Sequence, residues 1–149
     1  MHSESSIIIY STLDNIFETA ADLSLWPKIL PHYRYVNFLE KKSTKFRVEM
    51  AAKRNWIPIK WTSDITINPD KKEIHFHHLK AFTKGMDVVW TFTQLDSGVD
   101  VRIVHDLKSK IPIIGKFIAE QIVGKFFIHY VANQTLIHMK QYIEQKYGS

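Results

Sequence analysis

Residues 111–147, IPIIGKFIAEQIVGKFFIHYVANQTLIHMKQYIEQKY, decide the fold. Gly115 and Gly148 bracket a stretch without internal proline. It predicts a helix from about Lys116 to Lys146, about 31 residues and roughly 46 Å long. Its two halves differ. From Leu136 onward, Leu136, Met139, Tyr142 and Ile143 make one apolar stripe flanked by Lys140, Glu144 and Lys146, as expected of a helix lying on a core. From Ile114 to Ala132, in contrast, Phe117, Ile118, Ile122, Val123, Phe126, Phe127, Ile128, Tyr130 and Val131 point nearly all the way round. A helix apolar on every side must be covered on every side. Besides a sheet, something must therefore meet this half: another element, a second subunit, a bound apolar ligand or a lipid surface.

Working outward, the segment before this helix alternates with a period of two. Phe46, Val48, Met50 and Ala52 alternate with Lys45, Arg47, Glu49 and Lys53. Ile59, Trp61, Ser63, Ile65 and Ile67 do the same against Lys60, Thr62, Asp64 and Thr66. Asn68-Pro69-Asp70 turns the chain into Glu73–Leu79. Met86, Val88, Trp90 and Phe92 share a face, and Asp96-Ser97-Gly98 leads to Val101, Ile103, His105 and Leu107 on the next strand. At the start of the chain, Ser6 to Tyr10 reads as a strand. Ser11 or Thr12 offers an N-cap to a helix running to Asp22. Ser24 offers a cap to a second short helix with Trp26-Pro27 in its first turn, stopped by Pro31. The order is strand, two helices, six strands and one long helix, without repeat, linker or composition break. That is an α+β chain of one domain, 1–149, in which a curved antiparallel sheet of about seven strands wraps a C-terminal helix, the helix-grip arrangement.

Composition sets outer limits. With 45% hydrophobic and 23% charged residues, the chain is neither disordered nor low in complexity. It has no cysteine, which excludes disulfide and thiolate chemistry. The opening MHSESSIIIYS lacks a basic segment followed by a long apolar one, and no run approaches the ~20 residues that span a bilayer. A cytoplasmic protein is expected. The net charge of +5 is spread along the chain and reads as a soluble surface, with an acidic protein partner or an anionic membrane face as the lesser reading. No basic stripe interleaves with aromatics, so nucleic acid is not expected. His75, His77 and His78 have a metal-like look, but no carboxylate or cysteine joins them, and no metal is expected. Nor is any cofactor. Asn133-Gln134-Thr135 matches a glycosylation sequon inside the helix and is discarded.

A strongly curved sheet cannot touch a straight helix along its whole length, so the gap becomes a cavity. The inward positions Trp26, Trp61 and Trp90, with aliphatics such as Met50 and the helix residue Phe126, would make it mostly apolar, with room for a two-ring molecule. That suits a small hydrophobic ligand.

Leu25-Trp26-Pro27 leading to Pro31 and Tyr33, FRVEM at Phe46–Met50, Trp61-Thr62-Ser63-Asp64, Val89-Trp90-Thr91-Phe92 and Arg102 with His105-Asp106 carry a resemblance. Over about residues 5–146 the chain resembles the polyketide cyclase/dehydrase branch of the START-like (SRPBCC) superfamily. Within it, the chain is most similar to the bacterial aromatase/cyclases of aromatic polyketide biosynthesis. The resemblance implies aldol cyclisation and dehydration of a poly-β-ketone held on an acyl carrier protein, in a dry cavity where an enolate is stabilised and protons are moved. It implies roles for Trp26, Trp61, Ser63 and Tyr33. The arginine that the family places two positions past the serine is Ile65 here. Two residues could stand in: Arg54, in phase with Phe46, Val48, Met50 and Ala52, and His105, on an apolar strand face where burial would tune its pKa. Arg102 and Asp106 fall on the opposite face and read as an exposed or structural pair.

The expected site is thus Ser63, Tyr33, Arg54 and His105 for chemistry, with Trp26, Trp61, Trp90, Met50 and Phe126 for binding. A carrier protein would dock through basic residues such as Arg34, Lys53, Arg54 or Lys84. Two function classes follow. One is a cyclase/aromatase acting on a carrier-bound polyketide. The other is a module that binds or delivers a quinone or lipid, as coenzyme Q-binding relatives do; Ile65 favours this second class.

Overall fold

The structure, a computed structural model, describes residues 2–80, 83–107 and 126–148. β1 (His2–Ile9) leads to α1 (Leu13–Ala21), a 3₁₀ turn (Leu23–Leu25) and α2 (Trp26–Ile29). Then come β2 (Tyr33–Lys42), β3 (Lys45–Arg54), β4 (Ile57–Asn68), β5 (Glu73–His78), β6 (Asp87–Leu95) and β7 (Gly98–Asp106), and finally the C-terminal helix α3 (His129–Tyr147). The strands form one antiparallel sheet in the order β1-β7-β6-β5-β4-β3-β2. This is the helix-grip fold that the sequence order implies.

Local chemistry explains the elements. Thr12 caps α1, its hydroxyl accepting from the Asn15 amide at 3.1 Å. Ser24 is not a cap; its hydroxyl donates to the Asp22 carboxylate at 2.6 Å instead. Pro27 sits in the first turn of α2, where its missing N–H costs nothing. On β4 the inward residues are Trp61, Ser63, Ile65 and Ile67, and on β7 they are Val99, Val101, Ile103 and His105. β2 is an edge strand, largely exposed and broken by register shifts at Tyr33/Tyr35 and Phe38/Glu40. At the β6–β7 turn, a Cβ on Gly98 would come within 2.8 Å of Ile8 Cγ2, so glycine lets β1 lie close against β7.

α3 buries Ala132, Thr135, Leu136, Met139 and Ile143, with Tyr142 half-buried. It is tied to β1 by Lys140, whose ammonium donates to the Ile8 carbonyl at 2.7 Å, and by Glu144, which accepts from the Tyr10 amide at 3.0 Å. The expected helix from Lys116 lies outside the described residues up to 125; residues 126–128 are π-helical and run into α3. Arg102 and Asp106 do not pair with each other as expected. Arg102 meets Glu4 and Asp100 at 3.7 and 3.4 Å, whereas Asp106 accepts from His2 at 2.6 Å. Strand register separates the two, because His2 stands opposite Asp106 and Ser6 opposite Arg102.

Candidate functional site

An aromatic wall runs through the core where α2, β2, β4, β5 and β6 meet. Trp26 packs edge-on to Tyr33 at 5.4 Å between centroids and tilted against Trp90 at 5.5 Å. Tyr33 continues edge-on to Trp61 at 5.9 Å, and Trp61 stacks on the His78 ring at 5.9 Å with 5° between planes. Trp26 is held by its indole N–H, which donates to the Ala20 carbonyl at 3.1 Å. That bond satisfies the one polar atom of a buried tryptophan and fixes α2 against α1.

This wall faces Phe127, Ile128, Val131, Ala132 and Thr135 across a cavity of about 70 Å³. Met50, Ile59, Val88 and Ile103 make its apolar sides, and the polar groups Tyr33, His78, Thr83, His105 and Thr135 also line it. An apolar cavity of about 150 Å³ holds a single benzene. As the described residues line it, the cavity lacks the expected room for a two-ring molecule, and such a ligand enters only if the walls move apart.

Both histidines in the cavity are neutral. His105 is 8% exposed, and its ring is pushed down to about 4 by burial first and by repulsion from His129 second, against a small pull from Asp106. Its Nδ1 has no hydrogen-bond partner. His78 is pushed down to about 3 by burial, with His105 and His77 adding repulsion. Its Nδ1 lies 2.7 Å from Thr83 Oγ1, which fixes the ring orientation and leaves Nε2 for the cavity. Burial also pushes the Tyr33 phenol well above its ordinary value, opposed by a hydrogen bond with Thr135, so it stays a neutral donor.

Of the sequence-derived site residues, Tyr33, His105, Trp26, Trp61, Trp90 and Met50 meet at this cavity. Ser63 faces inward on the same side of β4 as Trp61, fully buried, with its hydroxyl unpartnered, but it is not among the lining residues. Arg54 and Phe126 stand elsewhere, and with each other. The guanidinium donates to the Phe126 carbonyl at 2.8 Å and lies over the Phe126 and Tyr130 rings at 4.5 and 5.0 Å. Phe127, edge-on to Phe126 at 4.9 Å, takes the lining position. Ile65 is 1% exposed and packs in the core.

Sequence reasoning passed over His78 and Thr135, though both carried a signal. His78 is in phase with the buried Ile74 and Phe76, opposite to the exposed His75 and His77, which pair with Glu73 and Asp87 at 3.3 and 2.7 Å. Thr135 falls between Ala132 and Met139 in the buried stripe of α3. Thr83, outside any strand, had no such signal.

The chain belongs to the family described as polyketide cyclase / dehydrase and lipid transport, whose model matches residues 11–126. A Streptomyces halstedii protein provisionally named a polyketide cyclase is 24% identical over 104 residues, 68% of this chain and 95% of that one. Among solved structures, the Zhui aromatase/cyclase of Streptomyces sp. R1128 superposes with a TM-score of 0.85 at 17% identity, covering 98% of this chain and 94% of that one. The di-domain aromatase/cyclase StfQ of the steffimycin pathway gives 0.81 at 16% identity, covering 99% of this chain and 52% of that one. At these identities the structural likeness speaks for the fold.

Proposed function

We propose that this member of the polyketide cyclase / dehydrase and lipid transport family is an aromatase/cyclase that closes a ring in a carrier-bound poly-β-ketone and then dehydrates it. The observation that carries the reading is the set of neutral proton-handling groups, His105, His78 and Tyr33, inside an otherwise apolar, tryptophan-walled cavity. A module built only to hold an apolar molecule has no use for two buried imidazoles, each of which costs free energy to desolvate. The chemistry balances as follows. His105 accepts a proton from a methylene between two carbonyls. The resulting enolate carbon attacks a distant carbonyl carbon, forming the ring C–C bond, while the Tyr33 hydroxyl donates a proton to the new alkoxide. The Tyr33 phenolate then takes a second methylene proton and regains its hydroxyl, while the His105 imidazolium gives its proton to the departing hydroxyl, which leaves as water and gives the double bond, with His78 a neutral hydrogen-bond donor to the substrate. The apolar walls fold the chain and keep bulk water from quenching the enolate.

A second reading, binding and delivery of a hydrophobic molecule such as a quinone or lipid, is favoured by Ile65, which leaves no cation at that inward position of β4. The two part on four variants assayed for both turnover of a carrier-bound poly-β-ketone and ligand affinity. If the chain is a cyclase, His105→Ala and His78→Ala slow turnover at least about tenfold with affinity within a few-fold. If it only carries, those changes matter little, and Trp61→Ala and Trp90→Ala cost affinity by about 2–4 kcal/mol. Wild-type protein that turns over no poly-β-ketone ends the enzyme reading.

A further inference from the structure

A second chamber, of about 200 Å³, lies beside the end of the β3–β4 hairpin. Pro31, His32, Lys53, Asn55, Tyr130 and Gln134 line it. Its character is opposite to that of the main cavity: an ammonium, two amides, a phenol and an imidazole, with no carboxylate among the lining residues. A second cation stands behind its wall, since the Arg54 guanidinium lies 5.0 Å from the Tyr130 ring centre.

His32 connects the two chambers. It is 5% exposed, and its backbone carbonyl accepts from the Lys53 amide at 2.8 Å, which fixes the loop after α2 against the end of β3. Its Nε2 lies 2.9 Å from the hydroxyl of Thr135, which itself lines the main cavity. The other ring nitrogen, Nδ1, is buried without a hydrogen-bond partner. Tyr130 and Gln134 follow each other by one turn of α3 on the side facing the polar chamber, and Val131 and Thr135 do the same on the side facing the apolar one. One turn of helix and one histidine thus separate an apolar cavity from a cationic, donor-rich one.

We propose that the outer chamber binds the anionic end, a phosphate or a carboxylate, of a ligand whose apolar part occupies the main cavity. This rests on the reading of the main cavity as an apolar-ligand site. A buried nitrogen without a partner is costly unless a ligand completes it, and an anion does so while meeting Lys53 and the Asn55 and Gln134 amides. The ring is neutral when the chamber holds no anion, because burial first and His138 second push its pKa down to about 4, against the pull of the Val131 carbonyl. A nearby negative charge reverses that balance and lets the imidazole become a charged donor.

The experiment titrates the full-length chain with butyl phosphate, butanoate and 1-butanol, whose tails suit the small cavity, and separately with inorganic phosphate. Affinity is read by calorimetry and the His32 ring resonances by NMR. The anionic head of at least one charged probe should tighten binding about tenfold over butanol, and the His32 resonances should move with that probe. Whether the phosphate or the carboxylate gains more identifies the head group. The gain should fall to about threefold or less in Lys53→Met and His32→Gln, with butanol affinity unchanged. Lys53 is exposed, so its variant serves even if His32→Gln does not fold. Equal affinity for all three probes overturns the proposal while leaving the apolar-cavity reading standing. A charged-head gain that survives Lys53→Met also overturns it. If no four-carbon probe binds while inorganic phosphate still moves His32, the cavity reading fails, and the two-chamber ligand fails with it.

Discussion

Replacing Ser63 with alanine should stabilise the protein, and the effect on turnover decides whether its hydroxyl belongs to the site. Ser63 is completely buried, its register partners are Val48 on β3 and His78 on β5, and its hydroxyl has no hydrogen-bond partner. A buried polar group left unpaired carries a penalty of about 1–3 kcal/mol, which alanine removes together with the oxygen. The space left is roughly 20 Å³, worth about 0.5 kcal/mol at the usual cavity cost. The net gain is about 0.5–2.5 kcal/mol, which for a chain of this size raises Tm by roughly 2–8 °C. Urea unfolding followed by tryptophan fluorescence, with an unchanged slope, and calorimetry of ligand-free protein measure it. A loss of 1 kcal/mol or more would refute the reasoning, since it would mean that the hydroxyl is paired. Stability that rises while turnover falls at least about tenfold marks a group kept at a cost to the fold because the reaction uses it. Unchanged turnover would remove Ser63 from the site.

Two further expectations concern pH and the end of α3. His32, His78 and His105 all have folded values near 3–4, below the ordinary 6.5. Between those limits the unfolded chain therefore binds more protons than the folded one. Their stabilisation is complete above pH 6.5 and is lost as pH falls toward 4, whereas that of Asp64, held down by its hydrogen bond to Arg47, goes only below its ordinary 3.8. The urea midpoint should be flat above pH 7 and drop from 6.5 downward, less so in His105→Asn; a midpoint constant from pH 7.5 to 5 would contradict this. Arg54→Met should cost about 1–3 kcal/mol through the lost Phe126 carbonyl bond and ring contacts, and Arg54→Lys should not restore it. If either variant instead keeps full stability but loses turnover, Arg54 acts on the substrate rather than on the helix.

What the sequence made legible follows from periodicity. The inward faces of β3, β4, β6 and β7 read directly from alternation, because each strand has one wet face. β2 did not read this way: it is an edge strand with most of its residues exposed, and bulges interrupt its phase. Inwardness also says less than position along the strand. Arg54 is in phase with Met50 and Ala52, yet it sits at the strand's last residue, past the cavity, where its length takes it to the Phe126 carbonyl. Phe126 and Phe127 are neighbours in a stretch of sequence apolar on every side, and composition cannot choose between them. In the structure Phe127 lines the cavity and Phe126 lies against Arg54. His32 was invisible as a buried group because Tyr130 and His138, which pack on its ring, are contacts of long sequence separation.

If the proposed cyclase reading holds, Ile65, standing where the resemblance implies an arginine, changes what kind of catalysis this cavity can support. A fixed cation stabilises an enolate from the outset, whereas this cavity, as the described residues line it, offers only neutral hydrogen-bonding groups. An imidazole whose conjugate acid sits near 4 is a weak base toward an isolated carbon acid. It becomes competent only as the proton moves, because the enolate then stands beside the new imidazolium and compensates the burial that had disfavoured it. The same repulsion that lowers His78 beside His105 allows one of the two rings to carry a proton at a time, so one acts as base while the other remains a neutral donor. On the proposed cyclase reading, such a site would react only with a substrate that brings its own developing negative charge, and would stay inert toward an apolar molecule that merely fills it. The cyclase and the carrier would therefore differ less in the cavity than in the acidity of what enters it. A 1,3-dicarbonyl with no ring to close should still exchange its methylene protons for deuterium faster in the presence of the wild-type chain than of His105→Ala.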